Sequence, residues 1–222
     1  MIEIPSPDEQ GFDIDYLEKL CGKFDITACV VMPNFSTPTG LSLSKYKRSK
    51  LIELANQFNY YIIEDDIYGE MGFIKNNPPL ISQNAQNNII LCGSVSKSLS
   101  KDLRIGWLIS PSLSKQFVKS KLTTQLAGSR SSQAGLAEFM AKGLYRKHLN
   151  HFLKYLMAQR NILLSELRSF WPNDIEYHIP EGGLTIWVKL NASANTTILY
   201  NLLIKKNRHY TRDLVCYRSA IF

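Results

Sequence analysis

The chain has 222 residues, of which 45% are hydrophobic, and it carries a net charge of +7. That length allows one large domain or one and a half small ones, with enough apolar side chains for a sizeable core. No apolar run approaches the roughly 20 residues that a bilayer-spanning helix needs, which excludes that class.

Met1-Ile2-Glu3-Ile4-Pro5 has none of the parts of a signal peptide. Cys21, Cys29, Cys92 and Cys216 show no metal or redox spacing. They read as small buried hydrophobes, so a reducing, cytoplasmic location is expected. The positive excess lies in stretches such as Lys115 to Lys121 and Lys205 to Arg218, where solvated helix faces account for it as well as nucleic acid does. With no DNA-binding motif in view, no nucleic-acid contact is expected of this chain itself.

In chain order, Ile2 to Pro5 is strand-like and Ser6 to Gly11 is a polar turn. Asp13 to Lys23 has helical spacing, and Ile26 to Met32 is a β-branched run that predicts a buried strand. A loop dense in turn formers follows, Pro33 to Gly40, before Ser44 caps a helix to about Phe58. Tyr60 to Ile63 is a strand ending in Glu64-Asp65-Asp66-Ile67-Tyr68, where Asp66 reads as a helix N-cap. Asn88 to Cys92 and Ile105 to Ile109 are strands flanking a polar loop. Three helices are predicted next, Leu113 to Leu126, Ser132 to Lys142 and Gly143 to Phe170. The last has Leu149, Phe152, Leu153, Leu156, Leu163, Leu164 and Leu167 along one side, and Pro172 ends it. Ile175 to Ile179 and Gly183 to Leu190 read as a hairpin-like pair, and Asn195 to Lys206 as a helix. Strand, loop and helix in alternation predict a mostly parallel α/β sheet with right-handed crossovers.

Ligands bind at the carboxyl ends of strands in such sheets. The loop Ser94-Val95-Ser96-Lys97-Ser98-Leu99-Ser100-Lys101-Asp102-Leu103-Arg104-Ile105-Gly106-Trp107 starts at one of those ends. Hydroxyls and a guanidinium are groups that hold a phosphate. A lysine beside such a site, partly desolvated, can form a Schiff base with an aldehyde. The combination points to a phosphorylated carbonyl cofactor joined to Lys97.

Ser-x-Ser-Lys followed by Arg-Ile-Gly-Trp resembles the lysine loop of fold-type I pyridoxal-phosphate enzymes, the aspartate aminotransferase superfamily. Asp65-Asp66-Ile67-Tyr68 resembles its Asp-x-x-Tyr, and Thr37-Pro38-Thr39-Gly40 its Asn-Pro-Thr-Gly. Glu64 to Glu70, Tyr145-Arg146-Lys147-His148-Leu149 and Glu181-Gly182-Gly183-Leu184-Thr185-Ile186-Trp187 look like the MocR branch of GntR regulators and the aminoadipate-type aminotransferases. The resemblance implies pyridoxal 5'-phosphate as cofactor and Lys97 as internal-aldimine lysine and base. It implies Ser94, Ser96 and Arg104 at the phosphate, Asp65 at the ring nitrogen, and Tyr68 at the phenolate oxygen. Thr37 stands where the family has an asparagine donating to that oxygen.

The resemblance also implies an amino acid and 2-oxo acid substrate pair and a homodimer for an intact member. It divides the chain into a partial large domain (1–142), a bridging helix (143–170) and a truncated small α+β domain (171–222). Relative to the family pattern the first strands, the glycine-containing phosphate loop and the stacking aromatic are missing. So is the arginine that binds the substrate carboxylate, since His209 to Arg218 shows no such pattern. Family topology implies that the strands ending at Met32, Ile63 and Cys92 are neighbours, with the one from Ile105 antiparallel beside them. The expectation is an incomplete, weakly active or inactive aminotransferase, with an open apolar sheet edge. The alternative is the ligand-sensing remnant of a MocR-type transcriptional regulator.

Overall fold

Four short apolar runs pair side by side, and their alternation decides which face of the sheet is covered. The computed structural model describes residues 1–206 apart from 7–8, 76, 84–87, 125–127, 172–174 and 191–193. Strands β1 (Ala28–Val31), β2 (Tyr61–Asp65), β3 (Ile89–Ser94) and β4 (Gly106–Ile109) lie in the order β1-β2-β3-β4. The first three are parallel and β4 is antiparallel to β3, as the family resemblance implies. Register aligns Asp65 with Cys92 and Ser94 with Gly106, so β2 and β3 finish at the same edge of the sheet.

Two helices cover one face. In α1 (Ile14–Lys23) the Asp13 carboxylate accepts the Tyr16 N–H, and in α2 (Lys45–Phe58) the Ser44 hydroxyl accepts the Lys47 N–H. Each cap satisfies a backbone donor that the first helical turn leaves unpaired. Leu17 and Cys21 of α1 and Leu51, Leu54 and Ala55 of α2 form the main core with Val31, Ile62 and Ile89. The opposite face is open. Val30 of β1 is 72% exposed, and all four residues of β4 are exposed. Parallel strands are apolar on both faces and ordinarily covered on both; here one face is uncovered at β1 and β4.

After β4 come α3 (Ser114–Thr124), α4 (Arg130–Ala141) and α5 (Leu144–Phe170). α5 is the organising helix. Tyr145 and Leu149 pack with Val95 and Leu136 in a second cluster. Phe152, Leu153 and Leu156 pack against a third, made of Phe35, Tyr68 and Met71. Leu163 departs from the predicted stripe and is exposed, while Leu164 and Leu167 are buried. Strands β5 (Glu176–Tyr177) and β6 (Val188–Lys189) form a small antiparallel pair, and α6 (Thr196–Lys206) ends the described chain.

Two expectations are corrected. Ile2 to Pro5 forms no strand; its recorded role is the Pro5 carbonyl accepting the Asp13 N–H. A strand needs a ladder partner, and β-propensity over four residues does not substitute for one. Asp66 caps no helix: a turn follows it, and its carboxylate accepts the Asn34 side-chain amide at 2.7 Å. Pro172, Cys216 and His209 to Arg218 lie outside the described residues.

Candidate functional site

The site is built where β2 and β3 end. Asp65 is the last residue of β2, half-buried, with Oδ1 accepting the Ile67 N–H at 3.3 Å. The Cys92 carbonyl beside it accepts the Asp66 N–H at 3.0 Å, which ties the two strand ends together. Burial pushes the Cys92 thiol up, and the Asp65 and Glu64 carboxylates add to the shift. That cysteine is therefore a protonated, unreactive wall of the site.

Beyond β3 the chain makes a tight turn, in which the Val95 carbonyl accepts the N–H groups of both Leu99 and Ser100. Ser94 Oγ donates to the Ile105 carbonyl at 2.9 Å, accepts the Ser96 N–H at 3.0 Å, and lies 2.9 Å from Ser96 Oγ. Its single proton and one lone pair are thus used to fasten the loop to the chain returning into β4. Lys97 follows, exposed, and Arg104 is an exposed residue with φ of +52° at the far end of the loop. Ser94, Ser96, Lys97 and Arg104 are thus gathered on one loop, beside the edge that carries Asp65. Tyr68 sits three residues beyond Asp65, buried with Phe35 and Met71 against α5.

Thr37 is not brought to this group by any contact. It is exposed and lines a cavity of about 1100 Å³ bounded by β1 and residues 1–4, and none of the other six predicted residues lies in that wall.

A buried polar network behind the site carried no signal strong enough to find from sequence. Arg48, on the buried side of α2, donates to the carbonyls of Leu43, Pro78 and Pro33 and to Asn34 Oδ1. Asn34 passes the connection on to Asp66. Burial raises the Asp66 pKa, opposed by the Asn34 hydrogen bond and then by the Arg48 charge. The network binds the Pro33–Gly40 loop to the Asp65–Tyr68 turn. An arginine three residues before the apolar Leu51 was the available hint.

Glu64, fully buried, faces the opposite way from Asp65. Its carboxylate accepts the N–H groups of Leu80 and Ile81 at 2.7 and 3.2 Å. Further on, Gly182 and Gly183 seat the Glu-Gly-Gly turn on the segment after Tyr68, with the Gly183 N–H donating to the Met71 carbonyl at 3.0 Å. Gly183 has φ of +73°, which glycine adopts without a steric penalty.

The donor set fits a pyridoxal-type group. A strand-end carboxylate, a phenol, an exposed primary amine, hydroxyls and a guanidinium stand around one edge of the sheet. None of these residues is sealed into the core except Tyr68.

Comparison with known proteins agrees with that chemistry. Residues 1–216 match the family described as aminotransferase class I and II. The aromatic-amino-acid aminotransferase 1 of Thermococcus litoralis is 26% identical over 217 residues, 94% of this chain and 52% of that protein. YisV of Bacillus subtilis, an uncharacterised HTH-type transcriptional regulator, is 32% identical over 177 residues, 79% of this chain and 37% of the regulator. The crystal structure of Pyrococcus horikoshii kynurenine aminotransferase in complex with PMP has a TM-score of 0.85 and 27% identity, over 92% of this chain and 52% of that one. The chain spans about half the length, or less, of the curated relatives it matches. Among the described residues no helix is long and apolar enough to cross a membrane. Because the family match runs over nearly the whole sequence, the chain belongs to the class I and II aminotransferases.

Proposed function

We propose that this chain carries the lysine side of a pyridoxal 5'-phosphate site, and that the activity it serves is transfer of an amino group from an amino acid to a 2-oxo acid. The observation that carries the reading is the common edge: Asp65 ends β2 opposite Cys92, and the Ser94–Arg104 loop leaves β3 two residues later. When bound, pyridoxal phosphate supplies an electron sink for the pair left at an amino acid's α-carbon.

Each residue then has a definable task. The Lys97 amine would hold the group's aldehyde carbon, and the same amine would serve as the base that moves a substrate's α-carbon proton. Asp65 keeps the ring nitrogen protonated, and the Tyr68 hydroxyl donates toward the phenolate oxygen. Ser96 and Arg104 hold phosphate oxygens, with Ser94 bracing the loop that presents them. Thr37 stands where the family has an asparagine but lines a separate cavity, so the phenolate side rests on Tyr68. The partner expected for the complete site is a second copy of the family fold.

A second reading has its own support. The regulator YisV is more identical over its aligned stretch, 32%, than the Thermococcus litoralis enzyme, 26%. In that reading the same residues bind the same cofactor as a sensed ligand, and no turnover follows.

Incubation with pyridoxal 5'-phosphate, borohydride reduction and peptide mass spectrometry tests the common part. Reduction is expected to fix one cofactor on Lys97 in the wild type and none at that position in Lys97→Ala. Equal labelling of Lys97 and the other exposed lysines of the wild type would overturn it. Transaminase assay against a panel of amino acids then separates enzyme from sensor.

A further inference from the structure

Lys97 is exposed, yet the residues on either side of it are both tied down. Ser96 is fastened to Ser94 and through it to the Ile105 carbonyl. Ser98 is buried and fastened to α5: its hydroxyl lies 2.8 Å from the Tyr145 hydroxyl, and its carbonyl lies 3.0 Å from His148 Nε2. Tyr145 in turn donates to Glu70 Oε2 at 2.8 Å, and Glu70 stands 3.7 Å from the Arg146 guanidinium.

Proton counting gives these bonds a direction. A carboxylate only accepts, so the one phenol proton of Tyr145 goes to Glu70, and the Ser98 hydroxyl must donate to the phenol oxygen. A carbonyl also only accepts, so His148 carries its proton on Nε2 and donates to Ser98. Burial pushes the Tyr145 phenol up to about 12, and its hydrogen bond from Ser98 only partly offsets this, so the donor to Glu70 persists across the working pH range. Tyr145, His148 and Leu149 share one face at the start of α5, by their spacing of three and four residues. Leu149 is buried in the same cluster as Val95, the pivot of the lysine turn. His148 is stacked at 15° on Phe152, which limits its freedom to swing away.

We propose that Tyr145 and His148 are positioning residues for Lys97, holding its backbone through Ser98 so that the lysine loop, the Glu70 turn and the start of the long helix move as one body. This rests on the reading of Lys97 given above, and it adds to that reading a second anchor, reached through Ser98. The strut joins three separate segments of the chain, the Glu64–Glu70 run, the lysine loop and the Tyr145–Leu149 run.

Amide hydrogen exchange on the full chain without cofactor tests the strut directly, for wild type, Tyr145→Phe, Ser98→Ala and the double variant. The reporters are the Leu99 and Ser100 amides, both held by the Val95 carbonyl. Each single variant is expected to speed their exchange roughly fivefold, the equivalent of one net hydrogen bond. The double variant should do little more than Tyr145→Phe alone, because that variant already removes the Ser98–Tyr145 bond. Core amides at Ile62 and Ile89 should be unchanged. Loop exchange equal to wild type, or acceleration spread evenly to those core amides, would overturn the proposal.

Borohydride trapping adds a second reading. The pyridoxal 5'-phosphate concentration for half-maximal labelling of Lys97 should rise roughly fivefold in Tyr145→Phe, with labelling of the exposed Lys101 unaltered. Should wild type show no preference for Lys97, the cofactor reading fails while the exchange result still judges the strut.

Discussion

Replacing Glu64 by glutamine should flatten the pH dependence of stability in a calculable way. Glu64 is fully buried, and desolvation raises its pKa from 4.5 to about 7, with the nearby Asp66 charge adding to the rise. The Leu80 and Ile81 N–H groups and Arg48 oppose the shift. The folded state therefore holds this proton more tightly than the unfolded chain does. The resulting stabilisation is complete below about pH 4.5 and is lost as pH rises through about 7. A shift of that size corresponds to about 3 kcal/mol at most. Asp66 shifts in the same direction, and Glu64→Gln leaves it in place. Glutamine resembles the protonated carboxyl in offering one carbonyl acceptor and no charge, so it keeps the neutral state at every pH. Urea unfolding followed by circular dichroism at pH 5, 6, 7 and 8 reads the difference. Wild type should lose stability relative to Glu64→Gln between pH 5 and pH 8, by up to about 3 kcal/mol. Parallel stability curves for the two proteins across that range would refute the burial argument.

Other outcomes follow from the loop and the network. Ser96→Ala should weaken borohydride-trapped cofactor binding more than Ser94→Ala does. Ser94→Ala should instead lower the urea midpoint, by about 1 kcal/mol, because the Ser94 proton is spent on the Ile105 carbonyl. Asn34→Ala removes the link between Arg48 and Asp66 and should cost about 1–3 kcal/mol in the same unfolding assay. Gly182→Ala would put a Cβ 2.5 Å from the Met71 carbonyl oxygen, which backbone cannot yield, so thermal unfolding should fall by the equivalent of about 1–3 kcal/mol. Gly22→Ala in α1 meets nothing within 4 Å and should raise stability by about 0.5–1 kcal/mol.

Local chemistry wrote much of this structure. Ser44 caps its helix as expected, and Asp13, read as the first helical residue, caps the helix that starts one residue later. The four strands were legible because apolar runs ended at turn residues, while their order and the antiparallel β4 followed from the family resemblance. Ser94, Ser96, Lys97 and Arg104 share one loop, so their nearness in sequence ensured their nearness in space. Asp65 depended on one further fact, the parallel pairing of β2 with β3, which the family resemblance implied.

Partnerships between distant residues depended on the fold. Nothing local announces that Tyr145 lies against Ser98, 47 positions earlier, or that Arg48 reaches Asn34 and Asp66. A buried polar atom takes whichever partner the packing brings within reach, and the packing is decided by apolar contacts such as Leu149 with Val95. The strand-like Ile2 to Pro5 stayed unpaired and Thr37 stayed apart for the same reason: hydrogen bonds and shared cavities need a neighbour, and sequence names the candidate but not the neighbour. The chain's order of residues was enough to write the chemistry of a cofactor site. Tertiary packing chose which groups present that chemistry, which brace them, and which face of the sheet was left open.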